Sequence, residues 1–146
     1  MRTLCNVLWH FPFLGFLQAI AFYILGAVWC LTIIGIPVGL GMFQIGKYMF
    51  LPFDRALVSR KDLAILSGET VGSVMKVWNV LARIIYFLPG VGAVVSGAAS
   101  VVSCCLAIIG IPAGIAYARA LGAFFNPIYN KCLPSEVADA VKLLKE

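Results

Sequence analysis

The sequence predicts an all-α membrane protein: two tandem repeats of a helical hairpin broken at Gly-Ile-Pro, giving about four transmembrane or re-entrant helices plus interfacial helices. Three observations carry this. The 146-residue chain is 62% hydrophobic and 12% charged, about half the charge of an ordinary soluble domain. Thr3 to Gly46 and Ile84 to Ala118 contain no Asp, Glu, Lys or Arg. The stretch "IIGIPVG" at 33–39 returns as "IIGIPAG" at 108–114.

A spanning helix needs about 20 apolar residues, and each uncharged run exceeds that. A soluble fold would leave large apolar patches exposed. Only Arg2 precedes the first run and no small-residue cleavage site stands out, so the N-terminus does not read as a removable signal. A net charge of +5 suits a lipid bilayer with anionic headgroups. The basic residues are scattered, with no aromatic–basic interleaving, so no nucleic acid partner is expected.

Taken in order, residues 1–58 form the first unit, 59–75 a cytoplasmic loop, 76–133 the second unit and 134–146 an amphipathic tail helix. Each unit opens on Asn-Val-Leu, at Asn6 and again at Asn79. A long apolar stretch follows (Phe13 to Ile34, Gly90 to Ile109), then the Gly-Ile-Pro break and a shorter leg ending at Pro52 or Pro127. The motifs align at an offset of 75, and Phe50 and Pro52 then meet Phe125 and Pro127. Such matching argues for an internal repeat.

Proline donates no backbone hydrogen bond and clashes with the carbonyl four residues back. Glycine permits backbone angles that other residues resist. Gly35, Pro37 and Gly39, with Gly110, Pro112 and Gly114, are therefore candidate helix-break positions that expose backbone groups. Such a break belongs at a membrane edge, within protein or against water.

A kink would give one crossing per unit and inverted repeats, a tight turn would give parallel hairpins, and the short leg could instead re-enter. Charge decides between the first two. With single crossings, Arg2, Lys131, Lys142 and Lys145 oppose Arg55, Arg60, Lys61, Lys76 and Arg83, which leaves no orientation signal. With hairpins all nine share one side, as the positive-inside rule prefers. Both termini and the central loop are then cytoplasmic (or in an organelle's matrix), and both turns lie on the far side. The short leg, residues 38–51, is about 21 Å as a helix against a core of about 30 Å. Crossing and re-entrance both stay open.

Lys47 lies near the cytoplasmic edge and can snorkel to headgroups. Arg119 lies deeper, where a basic residue faces a cavity or partner unless it snorkels. Arg83 aligns with His10 and marks a membrane-surface level. It shares a helical face with Lys76, predicting an interfacial helix over 71–88 before Pro89 turns the chain inward. No Asp or Glu occurs in an apolar leg, which argues against a carboxylate ion relay. A basic lining would suit anions. Gly92, Ser96 and Ser100 recur at four-residue spacing, as close helix approach requires. In the tail, Val137, Val141 and Leu144 make one apolar stripe.

Five cysteines, none in C-x-x-C, suggest neither zinc nor a disulfide framework. A phosphate-binding loop, a nucleophile elbow and a zinc-protease motif are all missing. One histidine assembles no convincing triad. No enzyme activity, metal or cofactor is expected.

The "NVLW" opening, "IIGIPVGLGMFQIGKYMFLPF" and its second copy "IIGIPAGIAYARALGAFFNP" resemble the YccF family of small inner-membrane proteins, over nearly the whole chain. The second copy departs in having Asn-Pro-Ile for Leu-Pro-Phe. The resemblance implies a bacterial inner membrane, or an organellar inner membrane, and two copies of the domain. It carries no catalytic residue. Two functions fit: an accessory or assembly subunit packed against other membrane subunits or itself, and a homo-oligomeric channel or transport component, anion-preferring through Arg119.

Overall fold

A computed structural model describes residues 2–13, 15–68, 73–106 and 110–144. Ile108 and Ile109 of the second motif and Lys145 of the tail lie outside the described residues. Among the described residues, helices and two short strands run in the order α1 (Arg2–Phe13), α2 (Gly15–Leu31), α3 (Ile36–Phe50), β1 (Arg55–Ser59), α4 (Arg60–Ser67), α5 (Ser73–Leu106), α6 (Ile111–Phe125), β2 (Asn130–Pro134) and α7 (Ser135–Leu143). A 3-10 turn, Pro127–Tyr129, precedes β2.

Each Gly-Ile-Pro is a hairpin turn. α2 packs along α3, and α5 along α6. Pro37 and Pro112 sit in the first turns of α3 and α6, where a missing N–H costs nothing and the fixed φ favours a helix. They start helices and do not interrupt them. Gly35 and Gly110 have ordinary right-handed angles, φ −79° and −82° with ψ −8° in both. Their glycines are required by space, since a Cβ at Gly35 would collide with the Trp29 carbonyl and one at Gly110 with the Cys104 carbonyl. The first turn satisfies its own backbone: Gly35 N donates to Thr32 O (2.9 Å) and Gly39 N to Gly35 O (2.8 Å).

The hairpins pack head to tail. Along α2, Phe22 stacks on Phe124 and Trp29 meets Tyr86 edge-on. Thr32 and Gly35 of the turn then line a cavity with Ala82 and Ile85. Near the start of α2, Gln18 instead accepts a hydrogen bond from Tyr117 and shares a groove with Ser100. Progress along α2 therefore runs backward along α5. Trp9, at the base of the first hairpin, sits edge-on to Tyr117, near the turn of the second. The two turns lie at opposite ends of the pair. The side-by-side arrangement predicted from charge, with both turns at one end, is corrected here by aromatic packing across the pair.

The strands add to what the sequence predicts. β1 and β2 pair antiparallel, with Leu57 opposite Cys132 at the centre of the register. These two residues are separated by the same offset as the Gly-Ile-Pro motifs. One ribbon face (Leu57, Cys132) joins the core around α3 and α6. The other (Val58, Ala56, Leu133) packs on Ala138 and Val141 of α7 and Leu63 of α4. The tail helix thus docks on the ribbon through Ala138 and Val141, while Val137 and Leu144 stay exposed. The segment read as a loop, 59–75, contains the end of β1 and all of α4.

The molecule is layered: α2 and α5 outside, α3 and α6 in the middle, then the ribbon, then α4 and α7. Val38, Ile45, Met49 and Ala120 of the middle layer are fully buried, whereas Leu31, Leu88 and Leu106 of the outer layer are at least 80% exposed. Pro89 does not end the preceding helix: α5 is continuous through it for 34 residues. Its missing N–H leaves the Ile85 carbonyl without its usual donor. Lys76–Leu106 is long and apolar enough to cross a membrane. α1 and α2 together make a second such stretch, bent by 77°. α3 and α6, 15 residues each, reach only about 22 Å.

Candidate functional site

The predicted basic residues separate in space. Arg119, exposed on α6, lines a cavity of about 580 Å³ that also takes in Arg55 from β1 and Lys142 and Asp139 from α7. Tyr48 of α3 and Cys5 of α1 also line it. Lys47 is exposed on α3 and Arg83 on α5, and neither lines this cavity. Three cations against one carboxylate leave it electropositive. Its chemistry suits an anion held by charge-assisted hydrogen bonds.

Each wall is fixed locally. The Tyr48 hydroxyl donates to the Ala116 carbonyl at 3.1 Å, pinning α3 to α6 across the buried centre. Asn6, 5% exposed, donates to Asp54 (2.6 Å) and accepts from Phe53 N (3.3 Å). That pair fastens α1 to the bend before β1. The Trp9 indole donates to Met49 O (2.8 Å), and His10 Nε2 lies 2.8 Å from Phe50 O as its donor. His10 therefore caps the free carbonyls at the C-terminus of α3. In the second half Phe124 O, which matches Met49 O at the offset of 75, accepts from Tyr86 (3.0 Å). Beside Arg55 on the ribbon, burial pushes the Cys132 thiol up, while the guanidinium and Lys47 pull the other way.

A second cavity, about 410 Å³, lies on the other half. Ile33, Ile36, Pro37 and Leu40 of the first turn and α3 form its wall, and Arg60 and Lys61 of α4 stand at its edge. The first Gly-Ile-Pro turn therefore sits at the level of the basic segment after β1, where the charge pattern had placed them on opposite membrane faces. Gly35 and Gly110 are buried. Gly39 packs on Gly26 and Cys30. The motif glycines serve helix contact within each hairpin. Among the described residues no group of His, Cys, Asp and Glu is arranged to hold a metal.

Nothing in the sequence pointed to Arg55 or Lys142 as neighbours of Arg119. They come from distant segments of the chain, brought to it only by ribbon pairing and tail docking.

Residues 4–55 match the family model of YccF, the inner membrane component domain. The match covers α1, α2 and α3 and ends at the first residue of β1. The chain matches no curated protein and no solved structure.

Proposed function

We propose that this chain, which carries a YccF inner membrane component domain, is a non-catalytic accessory or assembly subunit that lies in one membrane leaflet and packs against other subunits or its own copies. The carrying observation is the first hairpin turn beside Arg60 and Lys61. Head-to-tail hairpins standing upright would put basic segments on both membrane faces, against the positive-inside rule. Laid along the bilayer, they keep every basic segment on one side, and legs of about 22 Å need not cross. The pseudo-twofold axis through Leu57 and Cys132, relating two copies of one hairpin unit, is then the membrane normal. The outer helices, α2 and α5 beyond Arg83, meet hydrocarbon, Lys76 and Arg83 reach the headgroups, and the ribbon, α4 and α7 face the cytoplasm or matrix.

Single-cysteine variants Ile33→Cys and Lys61→Cys, in an otherwise cysteine-free chain, test the placement. Both are expected to react with a membrane-impermeant maleimide from the same side. Labelling of Ile33→Cys only from the opposite side defeats the leaflet reading. Native mass spectrometry in mild detergent tests the subunit role, and a strict monomer with no co-purifying protein counts against it.

The cavity around Arg119 favours a second reading, an anion-preferring transport component assembled from several copies. Anion flux in liposomes of the pure protein, reduced by Arg119→Gln, would support it over the subunit reading.

A further inference from the structure

We infer that the cavity of about 410 Å³ beside the first hairpin turn is a binding site for one anionic phospholipid. Its size is in the range of ordinary ligand pockets, and its walls divide by chemistry. Ile33, Ile36, Pro37, Leu40 and Ile128 give it an apolar wall, exposed at Ile33, Ile36 and Leu40, that suits an acyl chain. At the edge stand Arg60 and Lys61, the first two residues of α4. Among the described residues no acidic side chain lines the cavity. The start of α4 adds its own positive dipole end, capped at Ser59, whose hydroxyl accepts from Lys61 N at 3.3 Å.

The cation is held in place, too. Lys61 Nζ lies 5.7 Å from the centre of the Tyr129 ring, a cation–π distance. Trp78, Asn79 and Tyr129 line the cavity as well, and Trp and Tyr are the side chains enriched at headgroup level. An apolar wall beside basic and aromatic side chains matches a molecule with an acyl chain at one end and a phosphate at the other. A free phosphate would leave the apolar wall uncovered, and a neutral lipid would leave Arg60 and Lys61 unmatched.

The other half of the fold shows why the cavity lies here. At an offset of 75, Asp54 corresponds to Tyr129, and Asn6 corresponds by the repeat to Asn79. In the first half Asn6 and Asp54 bond to each other across that position. In the second half a tyrosine replaces the carboxylate, and Tyr129 and Asn79 instead line the open space. The site does not depend on whether the chain assembles with itself or with other subunits.

The experiment is native mass spectrometry of the full chain, delipidated in detergent and titrated with phosphatidylglycerol or phosphatidylcholine of the same acyl chains. Wild type is expected to retain one phosphatidylglycerol in preference to phosphatidylcholine. Removing both cations (R60Q with K61Q) should weaken that adduct on the order of tenfold or more, since each basic residue near an anionic surface contributes about fivefold. Leu40→Trp, which enlarges a side chain of the apolar wall and leaves the charge intact, should weaken it as well. Equal retention of the two lipids by wild type overturns the inference. Retention unaffected by Leu40→Trp reduces the site to surface charge and also overturns it. Displacement by millimolar inorganic phosphate identifies a free-anion site instead.

Discussion

The two hairpins share a plan and differ in tightness. α3 and α6 have the same length, the same glycine before the first residue and closely similar exits: φ −142°, ψ 68° at Leu51 and φ −139°, ψ 76° at Asn126. In the first hairpin, backbone meets backbone. A Cβ at Gly39 would lie 2.5 Å from Gly26 O, and one at Gly26 would lie 3.0 Å from Gly39 O. In the second, Val101 stands where Gly26 does. A Cβ at Gly114 would meet Cys105 Sγ at 3.0 Å and Val101 O only at 3.6 Å. The domain match at 4–55 falls on the tighter hairpin. The looser one carries Arg119 in place of Gln44. Valine stands where side chains make the contact, and glycine where carbonyls fix the approach.

The largest expected effect breaks this comparison directly. Gly39→Ala should destabilise by about 2–3 kcal/mol and Gly114→Ala by less than about 1 kcal/mol, measured by thermal or denaturant melts in one detergent. Equal losses would mean the two interfaces are equally tight. Next come the tyrosines that cross the molecule. Tyr48→Phe and Tyr86→Phe each remove a buried hydrogen bond to a carbonyl of α6 and should each cost about 1 kcal/mol in the same melts. A loss at only one would show that the centre is held from one side.

Much of the hairpin was legible in the sequence. Uncharged runs, the offset of 75 and the Gly-Ile-Pro positions located both turns, because helix ends and close approaches are local and glycine and proline mark them. The ribbon was hidden. "RALVS" and "NKCLP" are five-residue segments that become strands only by finding each other across half the chain, and neither alternates clearly. Pro89 misled because local rules read as a stop a residue through which α5 continues. Arg119 could be singled out by its depth in an apolar leg. Its companions Arg55 and Lys142 could not, since tertiary docking alone brings them near.

Two smaller effects sharpen the comparison further. Asn6→Ala severs the link to Asp54 and should cost about 1 kcal/mol. Asn79→Ala, at the edge of the open cavity, should change stability within about 0.5 kcal/mol. Cys132 gives the smallest effect, and it depends on pH. Its thiol is raised in the fold, so the unfolded chain ionises first as pH rises. The associated stability is complete below the unfolded thiol's range, about 8.5, and is lost as pH climbs through the folded value. Melts from pH 7 to 10 should fall more steeply for wild type than for Cys132→Ala.

The centring of the ribbon on Leu57 and Cys132 has one further consequence. Antiparallel pairing about a single residue is self-complementary, so one hairpin unit with its strand could in principle close the same ribbon with an identical twin, an isologous contact. Joining the units in one chain makes that encounter intramolecular. A connection of this kind supplies the second strand at an effective concentration on the order of millimolar, independent of how dilute the protein is in its membrane. Two similar units in one chain need not be identical, so one can keep a closed polar link where the other opens a cavity.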